Sequence, residues 1–88
     1  MQVGIIGYGR WGPNHARVFS ELATLVAIAD RDRGSLDRAG EKYPSVLRYT
    51  DYRDAINAVD AVVVATPVSS HAEIVAHALM QGKHVLWE

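Results

Sequence analysis

Short uncharged runs alternate with amphipathic stretches along the whole chain. Val3-Gly4-Ile5-Ile6 is apolar on successive positions and ends in glycine, so it predicts a strand buried on both faces. Pro13 suits the first turn of a helix, and His15, Val18, Phe19 and Leu22 follow at i, i+3, i+4, i+7 as one stripe. Leu25 to Ala29 is a second apolar run, closed by Asp30. Ser35 to Tyr43 predicts a weaker helix with Leu36, Ala39 and Tyr43 on one face, lowered by Gly40 and stopped by Pro44.

The second half repeats the alternation. Val46-Leu47 supplies a short third strand. Asp51 caps a brief helix over Tyr52 to Ala58, with Ala55, Ile56 and Val59 inward. Ala61 to Ala65 is the clearest strand, being uncharged and rich in valine. Ser70-His71-Ala72-Glu73 has capping-box spacing, and Ile74, Val75, Ala78 and Leu79 make the stripe of the helix that follows. Gly82 stands where a left-handed helix terminator belongs, and Lys83 to Trp87 is the last strand.

Strand and helix in strict alternation imply parallel pairing with right-handed crossovers. The expected fold is α/β: one doubly wound parallel sheet over residues 1–88, order 3-2-1-4-5, a Rossmann arrangement. No helix follows the fifth strand to help cover the sheet, so we read the chain as the front part of something longer.

Composition narrows the partners. The chain of 88 residues is 49% hydrophobic, with 9 basic against 10 acidic side chains and a net charge of −1. That balance argues against nucleic acid. The absence of cysteine removes disulfides, zinc ribbons and thiol chemistry. There is no signal peptide pattern and no run of bilayer-spanning length, which makes a cytoplasmic protein without a membrane partner the expectation.

The chemistry starts at Gly7-Tyr8-Gly9-Arg10-Trp11-Gly12, a G-x-G-x-x-G segment. The pattern alone is weak, but here it follows a strand and opens a helix. Gly7 permits the tight turn, Gly9 lets a pyrophosphate approach the backbone, and Gly12 lets helix and strand pack closely. Free N–H groups at the helix start favour an anion. Asp30 lies 18 residues beyond Gly12, at the tip of the second strand, where a carboxylate accepts both hydroxyls of an adenosine ribose. It also repels a 2′-phosphate, so NAD is expected, with NADP the lesser alternative because Arg31 and Arg33 can meet a phosphate. Arg10 is either a phosphate contact or a solvated charge; Trp11 either covers the cofactor or packs.

A second cluster, Ala65-Thr66-Pro67-Val68-Ser69-Ser70-His71, follows the fourth strand. In the expected strand order it faces the crevice shared with the glycine loop. Spacing gives His71 no role of its own; it is equally an ordinary residue of a helix start. His71 and His77 are six apart, which puts them on different faces of one helix, and no metal site is expected.

Taken together, residues 7–14, 29–30, 49–52, 65–71 and 82–88 resemble the N-terminal domain of the glucose–fructose oxidoreductase / inositol dehydrogenase / rhizopine-catabolism (Gfo/Idh/MocA) dehydrogenases. The resemblance covers the whole chain. It implies a nicotinamide-binding Rossmann domain followed by a larger C-terminal α+β domain, absent from these residues, that carries most of the substrate pocket and the homo-oligomer interface. It implies hydride transfer at a carbinol carbon of a sugar, cyclitol or nucleotide-sugar. Position by position, it places Gly7 to Gly12 on the pyrophosphate, Asp30 on the adenosine ribose, and Thr66, Pro67 and His71 near the nicotinamide half. Glu88 matches the glutamate of a Glu-Lys-Pro motif near the nicotinamide ribose. Val68 departs from the asparagine many members carry after Thr-Pro. The motif's lysine, the usual acid/base helper, is not among these residues, so the chain alone is expected to be inactive, with no catalytic residue of its own. The alternative from another class is a non-catalytic, NAD(H)-sensing regulatory module.

Overall fold

The computed structural model describes residues 1–22 and 24–87. Its strands are β1 (Gln2–Ile6), β2 (Thr24–Ala29), β3 (Leu47–Tyr49), β4 (Ala61–Val64) and β5 (His84–Trp87). Its helices are α1 (Gly12–Leu22), α2 (Arg33–Lys42), α3 (Tyr52–Asn57) and α4 (His71–Met80), the last preceded by a single 3-10 turn at Val68–Ser70. All pairings are parallel, in the order β3-β2-β1-β4-β5. This is the Rossmann-like sheet read from the alternation.

β1 is central. Val3 to Ile6 align with Ala61 to Val64 on one side, and Gly4 to Ile6 with Ala27 to Ala29 on the other. Consecutive residues Ile5 and Ile6 are both buried because each looks into a different layer. Ile5 joins Val3, Ile28 and Val63 under Ala16, Leu36 and Ala39 of α1 and α2. Ile6 joins Ala27, Val62 and Val64 under Ala55, Ile56, Ile74 and Ala78 of α3 and α4. The chain leaves β1 toward β2 and β3, then returns to β4 on β1's other side. The reversal opens a crevice at the carboxyl ends of β1 and β4.

Several local expectations shift. β3 covers Leu47–Tyr49, and Val46 is buried just ahead of it, because the strand pairs with Ala27 to Ala29. α2 starts at Arg33, two residues early, since the Asp32 side chain caps it by accepting from the Ser35 N–H. In α1 Ala16 is at 0% exposure, whereas the stripe residues His15, Val18 and Phe19 are only partly covered. A small residue lets the helix lie close on the sheet. Leu79 is 57% exposed although it extends the stripe of α4.

The capping box does not form. Ser70 is helical, makes no side-chain cap, and donates its hydroxyl to the Pro67 carbonyl instead. The other end of α4 closes as a Schellman motif: Gly82 (φ +74°) donates to the Leu79 carbonyl and Lys83 to that of Ala78.

Candidate functional site

The glycine loop is folded by contacts that leave no room for larger residues. Gly7 has φ +98°, a left-handed conformation, and a Cβ on it would meet the Ala65 carbonyl group at 3.0 Å. A Cβ on Gly12 would collide with the Gly7 carbonyl, so α1 starts directly against the turn that leads into it. Gly9 differs: a Cβ there would meet nothing within 4 Å, because that position faces the open cleft. Among the described residues, the N–H groups of Gly9, Arg10 and Trp11 donate to no protein acceptor. The first turn of α1 carries no acidic residue, so the positive end of the helix is unneutralised there.

The tip of β2 holds this loop. The Gly7 N–H donates to the Ala29 carbonyl (2.7 Å) and the Tyr8 N–H to Asp30 Oδ2 (2.7 Å). Asp30 Oδ1 accepts from the Asp32 N–H (2.8 Å), and the Asp30 N–H donates to Tyr49 (3.0 Å). A carboxylate has about four acceptor sites, so about two stay available to a ligand. The Tyr8 ring is 4% exposed and lies in the core beneath α1 and α2, where burial raises its phenol pKa, Tyr43 adds to the rise and Arg38 opposes it.

Across the crevice, Thr66 and Pro67 follow β4. His71 Nε2 lies 2.6 Å from the Thr66 carbonyl oxygen. A carbonyl only accepts, so Nε2 carries the hydrogen in this bond, which closes the segment 66–71 on itself. The buried Thr66 hydroxyl oxygen finds no partner among the described residues.

These parts converge on a cleft of about 710 Å³. Gly7, Gly9, Arg10, Trp11, Asp30, Arg31, Thr66, Pro67 and His71 all line it. Of the residues expected at the cofactor, Tyr8 and Gly12 do not line it; Tyr8 reaches it only through Asp30. Trp11 is 59% exposed, with the Arg10 guanidinium 5.5 Å from its ring centre. Glu88 lies outside the described residues.

Thr50, Tyr52 and Glu73, none of which the sequence motifs place in the cleft, form its far wall. Tyr52 donates its hydroxyl to Glu73 Oε1 (3.0 Å) and meets the His77 ring edge-on, bridging α3 and α4. Burial raises the Tyr52 pKa, and the bond to Glu73 raises it further. The starts of α1, α3 and α4 meet here, and the sequence marks the glycine loop, Asp30 and the Thr66–His71 cluster but not this wall. Among the described residues, no three His, Asp or Glu side chains group as a metal site, and no helix is long and apolar enough to cross a membrane.

The comparison with known sequences decides the family. The pattern of the family described as "Oxidoreductase family, NAD-binding Rossmann fold" matches residues 1–88. The chain belongs to this Gfo/Idh/MocA oxidoreductase family. An inositol 2-dehydrogenase of Rhizobium meliloti is 32% identical over 90 residues, spanning 100% of this chain and 27% of that protein. An alpha-N-acetylgalactosaminidase of Shewanella oneidensis is 34% identical over 101 residues, spanning 100% of this chain and 22% of that protein. The scyllo-inositol dehydrogenase of Lactobacillus casei, solved with NAD(H) and scyllo-inositol, superposes with a TM-score of 0.90 at 29% identity. That match covers 99% of this chain and 27% of the solved one. The chain thus spans about a quarter of the length of these Gfo/Idh/MocA relatives. The regulatory alternative finds no support in a match to an oxidoreductase family.

Proposed function

We propose that residues 1–88 are the dinucleotide-binding domain of an NAD-dependent enzyme acting at a carbinol carbon of a cyclitol or sugar. The observation that carries this is the convergence of unpaired loop amides and a half-used carboxylate on one cleft. The free N–H groups of Gly9, Arg10 and Trp11, with the start of α1 at Gly12, fit a pyrophosphate. The spare acceptor sites of Asp30 fit the 2′- and 3′-hydroxyls of an adenosine ribose, and its charge disfavours a 2′-phosphate. Arg31 flanks the adenosine end, and Thr66, Pro67 and His71 flank the nicotinamide half, with Glu88 assigned to the nicotinamide ribose. Tyr8 serves through its N–H on Asp30.

NAD supplies the hydride acceptor when bound. The residues of this chain bind and orient; none is assigned to catalysis, and the proton of the carbinol is handled by a group beyond residue 88. Substrate recognition and homo-oligomer contacts belong to a second domain. A matching segment in proteins named inositol 2-dehydrogenase and alpha-N-acetylgalactosaminidase supports a ring-shaped polyol or sugar as the ligand class.

The test is calorimetric titration with NAD⁺ and NADP⁺ of the 88-residue chain and of a longer protein that carries it. The longer protein is expected to bind NAD⁺ more tightly, and the 88 residues alone to bind weakly and turn over no sugar. Preference for NADP⁺, or robust dehydrogenase activity from residues 1–88, contradicts the assignment.

A further inference from the structure

We propose that Asp30 is a positioning residue for the glycine loop, in addition to any contact it makes with a ribose. The inference rests on reading the cleft as a dinucleotide site.

Two successive residues at the tip of β2 hold two successive residues of the loop. Ala29 fixes Gly7 through its carbonyl, and Asp30 fixes Tyr8 through its carboxylate, each at 2.7 Å. Gly7 is the left-handed hinge at which the chain turns out of β1, so the Tyr8 amide is the first group whose direction the turn leaves open. Asp30 sets it. The carboxylate is itself held at its other oxygen by the Asp32 N–H, and its backbone is pinned to β3 through Tyr49. The Tyr8 ring is anchored in the core. Once Tyr8 is fixed at both amide and ring, the three N–H groups that follow it stay unpaired and reach the cleft together.

This has a consequence opposite in sign to simple electrostatics. A carboxylate near an anion site repels the anion, so removing it should strengthen phosphate binding. If the carboxylate organises the amides that grip the phosphate, removing it weakens binding, even for a ligand with no ribose hydroxyls to offer. Substitutions of Asp30 meant to admit NADP then lose affinity for both dinucleotides.

The full chain, Asp30→Ala and Asp30→Asn are titrated with ADP and with 2′,3′-dideoxy-ADP. Asp30→Ala is expected to weaken dideoxy-ADP about tenfold, as loss of a hydrogen bond to a charged group would. Asp30→Asn, which keeps one acceptor oxygen, should fall between. Unchanged or tighter dideoxy-ADP binding by Asp30→Ala overturns the proposal. Equal affinity of the unsubstituted chain for ADP and dideoxy-ADP removes the ribose contact and leaves the positioning role intact. Amide hydrogen exchange at Tyr8 decides without a ligand: slow in the unsubstituted chain and fast in Asp30→Ala supports the role, and fast exchange in both refutes it. If Asp30→Ala does not fold, Asp30→Asn carries the same two readouts.

Discussion

The space that a Cβ on Gly12 would need is filled by the carbonyl group of Gly7, five residues earlier in the same loop. Gly9, midway between them, has nothing within 4 Å in the corresponding direction. The two positions therefore separate folding from binding. Gly12→Ala forces backbone apart and should cost about 1–3 kcal/mol. For a chain of this size that lowers the melting temperature by about 4–8 °C per kcal/mol. Gly9→Ala should leave the melting temperature nearly unchanged and weaken NAD⁺ by about tenfold or more, since the new methyl enters the cleft. Calorimetric melting and titration of both variants check the pair; equal losses of stability would show the loop works otherwise.

Gly82 is a case of conformation without crowding. Its φ is +74°, yet a Cβ there meets nothing within 4 Å. Gly82→Ala should therefore cost only the left-handed penalty, about 1 kcal/mol. Urea unfolding measures it. A much larger loss would mean the Schellman closure of α4 fails as a whole.

Much of this architecture is legible in the sequence because burial writes it there. Val62-Val63-Val64 sits between two strands and two helical layers, so no polar residue is tolerated and the strand announces itself. β3 is an edge strand with Leu47 and Arg48 exposed, so little burial constrains it and its bounds shift. The glycine loop is legible because sterics allow nothing else at Gly7 and Gly12. The far wall of the cleft was not legible. Tyr52 and Glu73 are 21 residues apart and meet only because the starts of α3 and α4 lie side by side. Nor does capping-box spacing reveal that Ser70 turns back to Pro67.

Buried phenols make the fold sensitive to alkali. Burial raises the Tyr8 pKa above its ordinary value of 10.0, with Tyr43 as a second cause. Because the folded value is the higher one, Tyr8's contribution is complete below the unfolded value and is lost as pH rises through the folded one. Stability should decline above about pH 10, and Tyr8→Phe should make the decline shallower. Tyr52 shifts in the same direction through burial and its bond to Glu73, so Tyr52→Phe is the parallel measurement. Urea midpoints from about pH 8 to 11 decide it, and an unaltered slope in both variants would show that neither phenol matters.

The acid side has the opposite sign. Asp51 caps α3 by accepting from the Arg53 N–H, and the Arg53 guanidinium also donates to its carboxylate; these bonds hold the Asp51 pKa down at about 2, against an ordinary 3.8. The folded value is the lower one, so the contribution is present above the unfolded value and disappears as pH falls from 3.8 through about 2. Asp51→Ala should lower the melting temperature at neutral pH and by progressively less toward pH 2. A difference that stays constant across that range would assign the loss to something other than the charge.

The bond from His71 Nε2 to the Thr66 carbonyl spans five residues and shapes the cleft wall beside the glycine loop. Its role there requires an N–H donor, not a base. Gln carries an N–H at a similar reach from its Cα, whereas Leu fills similar volume without one. His71→Leu should therefore weaken NAD⁺ binding severalfold, as loss of a neutral hydrogen bond of about 0.5–1.5 kcal/mol would, and His71→Gln should recover most of it. The ring ¹⁵N shifts give a second reading, because a donating Nε2 leaves Nδ1 unprotonated in the neutral imidazole. Full loss in His71→Gln, or a neutral ring with its proton on Nδ1 instead of Nε2, would move His71 from holding the loop to touching the ligand itself.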